Sequence, residues 1–152
     1  MPRVYVAGKF GSTKPKDIIR SLEDQGHFVT YDWTGEAIPK PFLGDAQAPY
    51  SAAAAHRMVQ AVRKSDALLL LSDNRAFGAM VEFGAALAYG IPVLIVLPHD
   101  GRQSVFMAHP LVRVISMRQF EVAQVKELGL YHLINSAVSR SIVTPSEMAL
   151  NA

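Results

Sequence analysis

The chain of 152 residues contains no cysteine, which excludes structural disulfides and thiolate metal sites. It also carries little excess charge: 15 Lys and Arg stand against 13 Asp and Glu, without a basic cluster on any predicted helix face. This balance argues against a nucleic-acid partner. Its apolar runs span only about four to six residues, too short to cross a bilayer. A strand is predicted almost at Met1, so we expect no signal peptide and a cytoplasmic protein without membrane partners.

Hydrophobic residues make up 50% of the chain, enough for the core of a single domain. The runs 67–71 and 93–97 are continuously apolar, as expected of parallel strands covered on both faces. Three further strands are predicted at 3–7, 28–31 and 112–115. Helical patterns separate them or follow them, at 15–25, 50–64, 78–89 and 120–138, with a possible break at Gly129.

This alternation predicts one α/β domain over residues 1–142, followed by a flexible tail at 143–152. The expected architecture is a doubly wound, Rossmann- or flavodoxin-like sheet of about five parallel strands in the order 2-1-3-4-5. In that order a crevice opens between the loops after strands 1 and 3. The residues predicted around it are Gly8, Lys9, Phe10, Ser12, Asp73, Asn74, Arg75 and Gly78.

The first of these loops offers backbone N–H groups and the cation of Lys9, which could hold a phosphate or a carboxylate. A solvated loop lysine is the alternative, and the same choice applies to Arg75. The loop matches neither the P-loop pattern nor the G-x-G-x-x-G dinucleotide pattern. The five histidines show no metal-ligand spacing, so we expect neither a metal nor a cofactor.

Glu82 is the only charged residue on the predicted helix after strand 3, where its neighbours are Gly, Ala, Met, Val and Phe. Near the start of that helix the dipole favours the ionised carboxylate by about 0.3–1 kcal/mol, which suits a nucleophile. The other interpretation is that Glu82 only complements the helix dipole and has no catalytic role. Tyr5 alternates with Val4 and Val6 on strand 1 and could orient this carboxylate, or it could be a core residue.

Aromatic residues flank the long loop predicted at 32–49, which has no clear periodicity. Trp33, Phe42 and Tyr50 could stack on a planar base, or they could fix the loop onto the body of the domain. Among them Trp33 is the candidate for stacking.

The chain resembles the nucleoside 2-deoxyribosyltransferase family, which includes related nucleotide N-glycosidases. The strongest match is the pattern Gly-x-x-x-Glu-x-Gly-x-Ala-x-Ala-x-Gly-x-Pro-Val, which runs from Gly78 to Val93. Weaker matches lie at 4–8, 32–34 and 65–66, and at Phe106 with His109 and Pro110.

This resemblance implies that Glu82 attacks the anomeric carbon of a 2-deoxyribose and displaces the base, while Tyr5 holds the nucleophile by a hydrogen bond. A second base or water would then resolve the glycosyl-enzyme. The resemblance also implies a nucleoside or nucleotide substrate, no cofactor, and a homo-oligomer (dimer or higher) in which a neighbouring subunit completes the pocket.

Two positions depart from the family pattern. Met58 and Ala76 stand where the family has acids that contact or protonate the base. Asp73 or His56 could take over this role, although neither is at a matching position. Three functions therefore remain open: exchange between bases, hydrolysis of nucleoside 5′-monophosphates, and nucleotide binding without chemistry.

Overall fold

The computed structural model describes residues 1–9, 14–38 and 40–140, without the side chain of Arg140. The strands are β1 (Arg3–Ala7), β2 (Phe28–Val29), β3 (Ala67–Leu71), β4 (Val93–Leu97) and β5 (Val112–Ser116). The helices are α1 (Lys14–Asp24), α2 (Ala48–Arg63), α3 (Phe77–Ala88), α4 (Met117–Val125) and α5 (Gly129–Arg140). Short 3₁₀ turns lie at Trp33–Gly35 and Val105–Ala108. The predicted site residues Phe10 and Ser12 and the predicted tail at 143–152 lie outside the described residues.

All five strands are parallel and pair in the order β2-β1-β3-β4-β5, which confirms the predicted fold class. Side chains alternate between the two faces of the sheet, as the strand period of two requires. On β1, Val4 and Val6 pack with α1 and α5, whereas Tyr5 and Ala7 pack on the opposite face with residues of α2 and α3. The sheet therefore separates two apolar layers, and Tyr5 shares its layer with Glu82's helix.

The register of β1 and β3 places their carboxyl ends side by side, since Tyr5 pairs with Leu68 and Ala7 with Leu70. The strand β2 lies on the other side of β1. The loop after β1 thus meets the loop after β3 at the point where the strand order reverses, and this is where doubly wound sheets bind ligands.

Several element boundaries differ from the prediction. The strand β2 pairs only to Val29, and the chain then turns at Asp32, whose Oδ1 accepts the Thr34 N–H at 3.0 Å. The helical region predicted at 120–138 forms two helices, α4 and α5, and the possible break at Gly129 is thus confirmed. The helix α4 begins early because Ser116 and Gln119 form a capping box. The break falls just before Gly129, where Leu128 has a φ of 56°.

Asp66, one of the residues that carry the family resemblance, fixes the start of β1. Its carboxylate accepts the Arg3 backbone N–H at 2.7 Å and pairs with the Arg3 guanidinium at 3.0 Å. The hydrogen bonds from Arg3 lower the pKa of Asp66. This motif position thus has a structural task, to align β1 beside β3. Among the described residues, no helix is both long and apolar enough to span a bilayer.

Candidate active site

Glu82 and Tyr5, which we call the buried pair, form a hydrogen bond between the sheet and helix α3. Glu82 lies in the second turn of α3 and is 7% exposed, while Tyr5 in the middle of β1 is fully buried. The Tyr5 hydroxyl donates to Oε1 of Glu82 at 2.6 Å. This short contact fixes the orientation of the carboxyl group from a rigid strand.

Burial raises the pKa of Glu82 to about 7, and the hydrogen bond from Tyr5 opposes this rise only in part. Burial of Glu82 therefore outweighs the expected effect of the helix dipole, which favours the ionised form. The dipole acts mainly within the first turn, and Glu82 lies beyond it. Desolvation and the adjacent carboxylate raise the pKa of Tyr5, so its hydroxyl keeps the proton that it donates. Near neutral pH, Glu82 is about half ionised.

A cavity of about 400 Å³ opens at Glu82. Its walls come from the loops after β1 and β3, the start of α3, helix α2, and the segment between β2 and α2. The lining residues are Gly8, Lys9, Trp33, Lys40, Phe42, Met58, Arg75, Ala76, Phe77, Gly78, Ala79 and Glu82. Besides Glu82 and Trp33, four predicted site residues thus lie around this cavity: Gly8, Lys9, Arg75 and Gly78.

These four residues, which we call the cationic group, come from the two loops that meet at the switch point and from the first turn of α3. Lys9 and Arg75 supply positive charge, and Gly78 lies in the first turn of α3, where backbone N–H groups favour anions. Gly8 permits close packing, because a Cβ there would come within 2.8 Å of Pro15. This side of the cavity is suited to an anionic part of a ligand.

The segment between β2 and α2 contributes Trp33, Lys40 and Phe42, which we call the loop group. Trp33 is 3% exposed, and its Nε1–H donates to the Val6 carbonyl at 2.6 Å. Its indole is therefore a fixed part of the wall. Phe42 is 39% exposed and more accessible to a ligand. Tyr50 is exposed and is not among the described residues that line the cavity.

Asp73 and Asn74 lie in a neighbouring cavity of about 420 Å³, which shares Lys9 and Arg75 with the first. Oδ1 of Asp73 accepts the Arg75 backbone N–H at 2.8 Å, so this carboxylate shapes the turn before α3. His56 is exposed on α2. Neither Asp73 nor His56 is among the described residues that line the Glu82 cavity.

Met58 and Ala76 themselves line the cavity, so the two positions where acids were expected present apolar surface. Sequence reasoning missed Lys40 and Phe77. Lys40 lies between two prolines in the long loop, and that loop was the only signal available. Within the ranges that the structure describes, no group of three His, Asp or Glu side chains is arranged to hold a metal ion.

No family model matches the chain, and no curated protein sequence matches it. Several solved structures resemble it, including the following two. A Clostridium botulinum CMP N-glycosidase, BcmB, superposes with a TM-score of 0.54 at 18% identity, over 88% of this chain and 98% of that one. BlsM, determined in solution, superposes with a TM-score of 0.63 at 20% identity, over 94% and 97%. The chain therefore shares their fold, and the predicted resemblance to nucleoside 2-deoxyribosyltransferase-like proteins is confirmed at the level of the fold.

Proposed function

We propose that this protein cleaves the N-glycosidic bond of nucleosides or nucleotides, with Glu82 as the nucleophile. The observation that carries the proposal is a buried carboxyl group at the wall of a cavity, hydrogen-bonded at 2.6 Å by a tyrosine whose own pKa is raised. A structural carboxylate gains nothing from burial without a cation, and no ion pair to Glu82 is seen within the described ranges. The shared fold with a CMP N-glycosidase supports the same reaction class.

In this mechanism the ionised form of Glu82 attacks C1′ of the sugar. The C1′–N bond breaks, the base departs with its electron pair, and a glycosyl ester forms on Glu82. Water then attacks C1′, which restores the carboxylate. Both steps pass through oxocarbenium-like transition states, in which a fixed carboxylate is most effective. Tyr5 keeps Oε1 in place, and it acts as a positioning residue.

The cationic group favours nucleoside 5′-monophosphates over unphosphorylated nucleosides. Lys9, Arg75 and the first turn of α3 together form a surface for a phosphate. Hydrolysis is favoured over base exchange, because Met58 and Ala76 present apolar surface at the two lining positions where the family pattern has acids that contact the base.

A product assay tests this function. The protein is incubated with deoxynucleosides, ribonucleosides and their 5′-monophosphates, with and without a free acceptor base, and the products are chromatographed. We expect free base from monophosphates and loss of at least about 10³-fold in rate in Glu82→Ala. New nucleoside formed only with the acceptor would indicate transfer instead. A thermal shift with nucleotides but no product would indicate a binding protein, and turnover unchanged in Glu82→Ala would exclude this nucleophile.

We also propose that the protein works as a homo-oligomer whose contact includes the outer face of α3. Phe77 and Val81 lie one turn apart on that helix and are 84% and 64% exposed, next to the cavity. Apolar surface beside a site is typical of a subunit contact. Sedimentation analysis of Val81→Asp should show a smaller assembly than the unchanged protein. Val125→Asp, at an 85% exposed valine of α4, is the matched control. A wild-type mass of 16.6 kDa would contradict the proposal.

A further inference from the structure

Lys40 is the one charged residue of the loop group. Its Nζ lies 5.6 Å from the centroid of the Phe42 ring, and both side chains line the cavity that contains Glu82. A cation held over an aromatic face has a preferred position without an ion pair. The loop group therefore presents a flat apolar ring with an ammonium group above it.

The sheet order separates this group from the cationic group. Lys40 and Phe42 follow β2, whereas Lys9 and Arg75 follow β1 and β3, and β1 lies between β2 and β3. A nucleotide with its C1′ at Glu82 and its phosphate at the cationic group would direct its base toward the loop group. The aromatic and apolar character of Trp33, Phe42 and Met58 suits a planar base there.

Breaking the C1′–N bond leaves an electron pair on the ring nitrogen of the base. An enzyme assists this departure either by donating a proton or by placing positive charge where the negative charge develops. Among the described residues that line the cavity, Glu82 is the sole acid, and it is engaged as the nucleophile. With Lys9 and Arg75 assigned to the phosphate, Lys40 is the remaining charged residue among the described residues of the cavity lining.

We propose that Lys40 stabilises the departing base as an anion, and that the protein therefore prefers bases with ring carbonyls, such as uracil and hypoxanthine, over amino-substituted cytosine and adenine. This inference rests on the proposed function. Ring carbonyls spread the negative charge onto oxygen, where an ammonium group donates hydrogen bonds. An amino-substituted ring forms a less stable anion and offers fewer such oxygens.

The step balances without another reagent. The bond from C1′ to an oxygen of Glu82 forms as the C1′–N bond breaks, and the base leaves as an anion hydrogen-bonded to the Lys40 ammonium. Water then attacks C1′ and regenerates the carboxylate of Glu82. The proton released by that water neutralises the base anion, so the products are the free sugar phosphate and the neutral base.

Steady-state kinetics with two matched pairs of substrates test this assignment. Deoxyuridine 5′-monophosphate is compared with deoxycytidine 5′-monophosphate, and deoxyinosine 5′-monophosphate with deoxyadenosine 5′-monophosphate. We expect the wild-type protein to favour the oxo base of each pair by about tenfold or more in kcat/KM. Lys40→Gln should lower kcat by roughly 10- to 100-fold for the oxo bases and much less for the amino bases. Lys40→Arg should retain most of the rate. Lys16→Gln, at an exposed lysine of α1 outside the cavity lining, is the control.

A series of 5-substituted uracil nucleotides separates charge stabilisation from a structural effect of the loop. Without Lys40, log kcat should depend more steeply on the acidity of the departing base. An equal loss for oxo and amino bases, an unchanged slope, or a wild-type preference for cytosine would overturn the role of Lys40. If the wild-type protein released no base from any substrate, the proposed function itself would fail instead.

Discussion

The two sides of the cavity are built in different ways. The buried pair lies on β1 and α3, where both side chains are buried and joined at 2.6 Å. The loop group lies in a segment with little regular structure, where Phe42 is 39% exposed and Lys40 is exposed. Placing a carboxylate on rigid elements fixes its geometry, while a loop can adapt to the ligand that binds beside it. Substitutions on the two sides should therefore differ in whether they change stability, rate or substrate binding.

The largest effect on stability is expected from Glu82→Gln. The folded protein raises the pKa of this carboxyl from 4.5 to about 7, so folding favours the protonated form. The free energy of unfolding should be highest below the pKa that Glu82 has in the unfolded chain, fall as pH rises toward 7, and then level off. At about 1.4 kcal/mol per pKa unit, the loss above pH 7 is about 3 kcal/mol. The neutral amide avoids this loss, at the expense of activity.

Urea denaturation at pH 5 and pH 8 measures this difference. Glu82→Gln should be more stable than wild type at pH 8, and the difference should largely disappear near pH 5. Glu121→Gln, at an exposed glutamate of α4, should change neither value. Stability of the wild-type protein that did not depend on pH in this range would contradict a buried Glu82 with a raised pKa.

Tyr5→Phe should lower kcat/KM by about 10- to 100-fold, because it removes the donor that positions Oε1 but leaves the core volume unchanged. The ionised form of Glu82 is the reactive one, so wild-type kcat/KM should rise with pH through about 7. Since the Tyr5 hydrogen bond lowers the pKa of Glu82, its loss should move this midpoint to higher pH.

The midpoint of the pH–rate profile distinguishes the two roles of Tyr5, because a merely structural role of Tyr5 would leave that midpoint unchanged. Tyr31→Phe, which removes a hydroxyl that accepts from Arg57 at 3.2 Å, should leave the profile unchanged. A slower Tyr5→Phe enzyme with an unshifted midpoint would mean that Tyr5 supports the fold and not the carboxyl group.

The two sides of the cavity also differ in how much of them the sequence could predict, because one lies on regular strands and helices and the other on a loop. The continuous apolar runs of β3 and β4 predicted a parallel sheet and its strand order, because burial and parallel pairing leave few alternatives. Tyr5 was predicted only as one of two alternatives, an orienting residue or a core residue. The pKa of Glu82 was not predictable, since desolvation depends on packing between elements distant in sequence. The early start of α4 could have been predicted from Ser116 and Gln119, which have capping-box spacing.

The positions of the loop-group side chains could not be predicted from burial and strand pairing. Lys40 and Phe42 lie in a segment without periodicity, and nothing in the sequence states which loop side chains face the cavity. Trp33 was predicted only as one of two alternatives. Its indole lines the cavity and is packed into the core, which supports a fixed loop, while stacking on a base stays a prediction.

Trp33→Phe tests the anchor of the loop group. The substitution leaves the Val6 carbonyl without its 2.6 Å donor and removes buried volume, so we expect a loss of about 1–3 kcal/mol in unfolding free energy. Trp33 is the only tryptophan of the chain, so quenching of its fluorescence in the wild-type protein should report nucleotide binding. Unchanged stability in Trp33→Phe would show that the hydrogen bond does not fix the loop.

The smallest effect on stability is expected from Phe42→Ala, which removes an accessible ring from the loop group and should alter the unfolding free energy by less than about 0.5 kcal/mol. If the ring contacts the base equally in the bound substrate and the transition state, KM should rise severalfold while kcat is unchanged. Leu43→Ala, at the adjacent residue that is 90% exposed and outside the cavity lining, should change neither constant. A fall in kcat with KM unchanged would instead mean that the Phe42 ring, and not only Lys40, acts in the transition state, and the contrast with the buried pair would then concern rigidity alone.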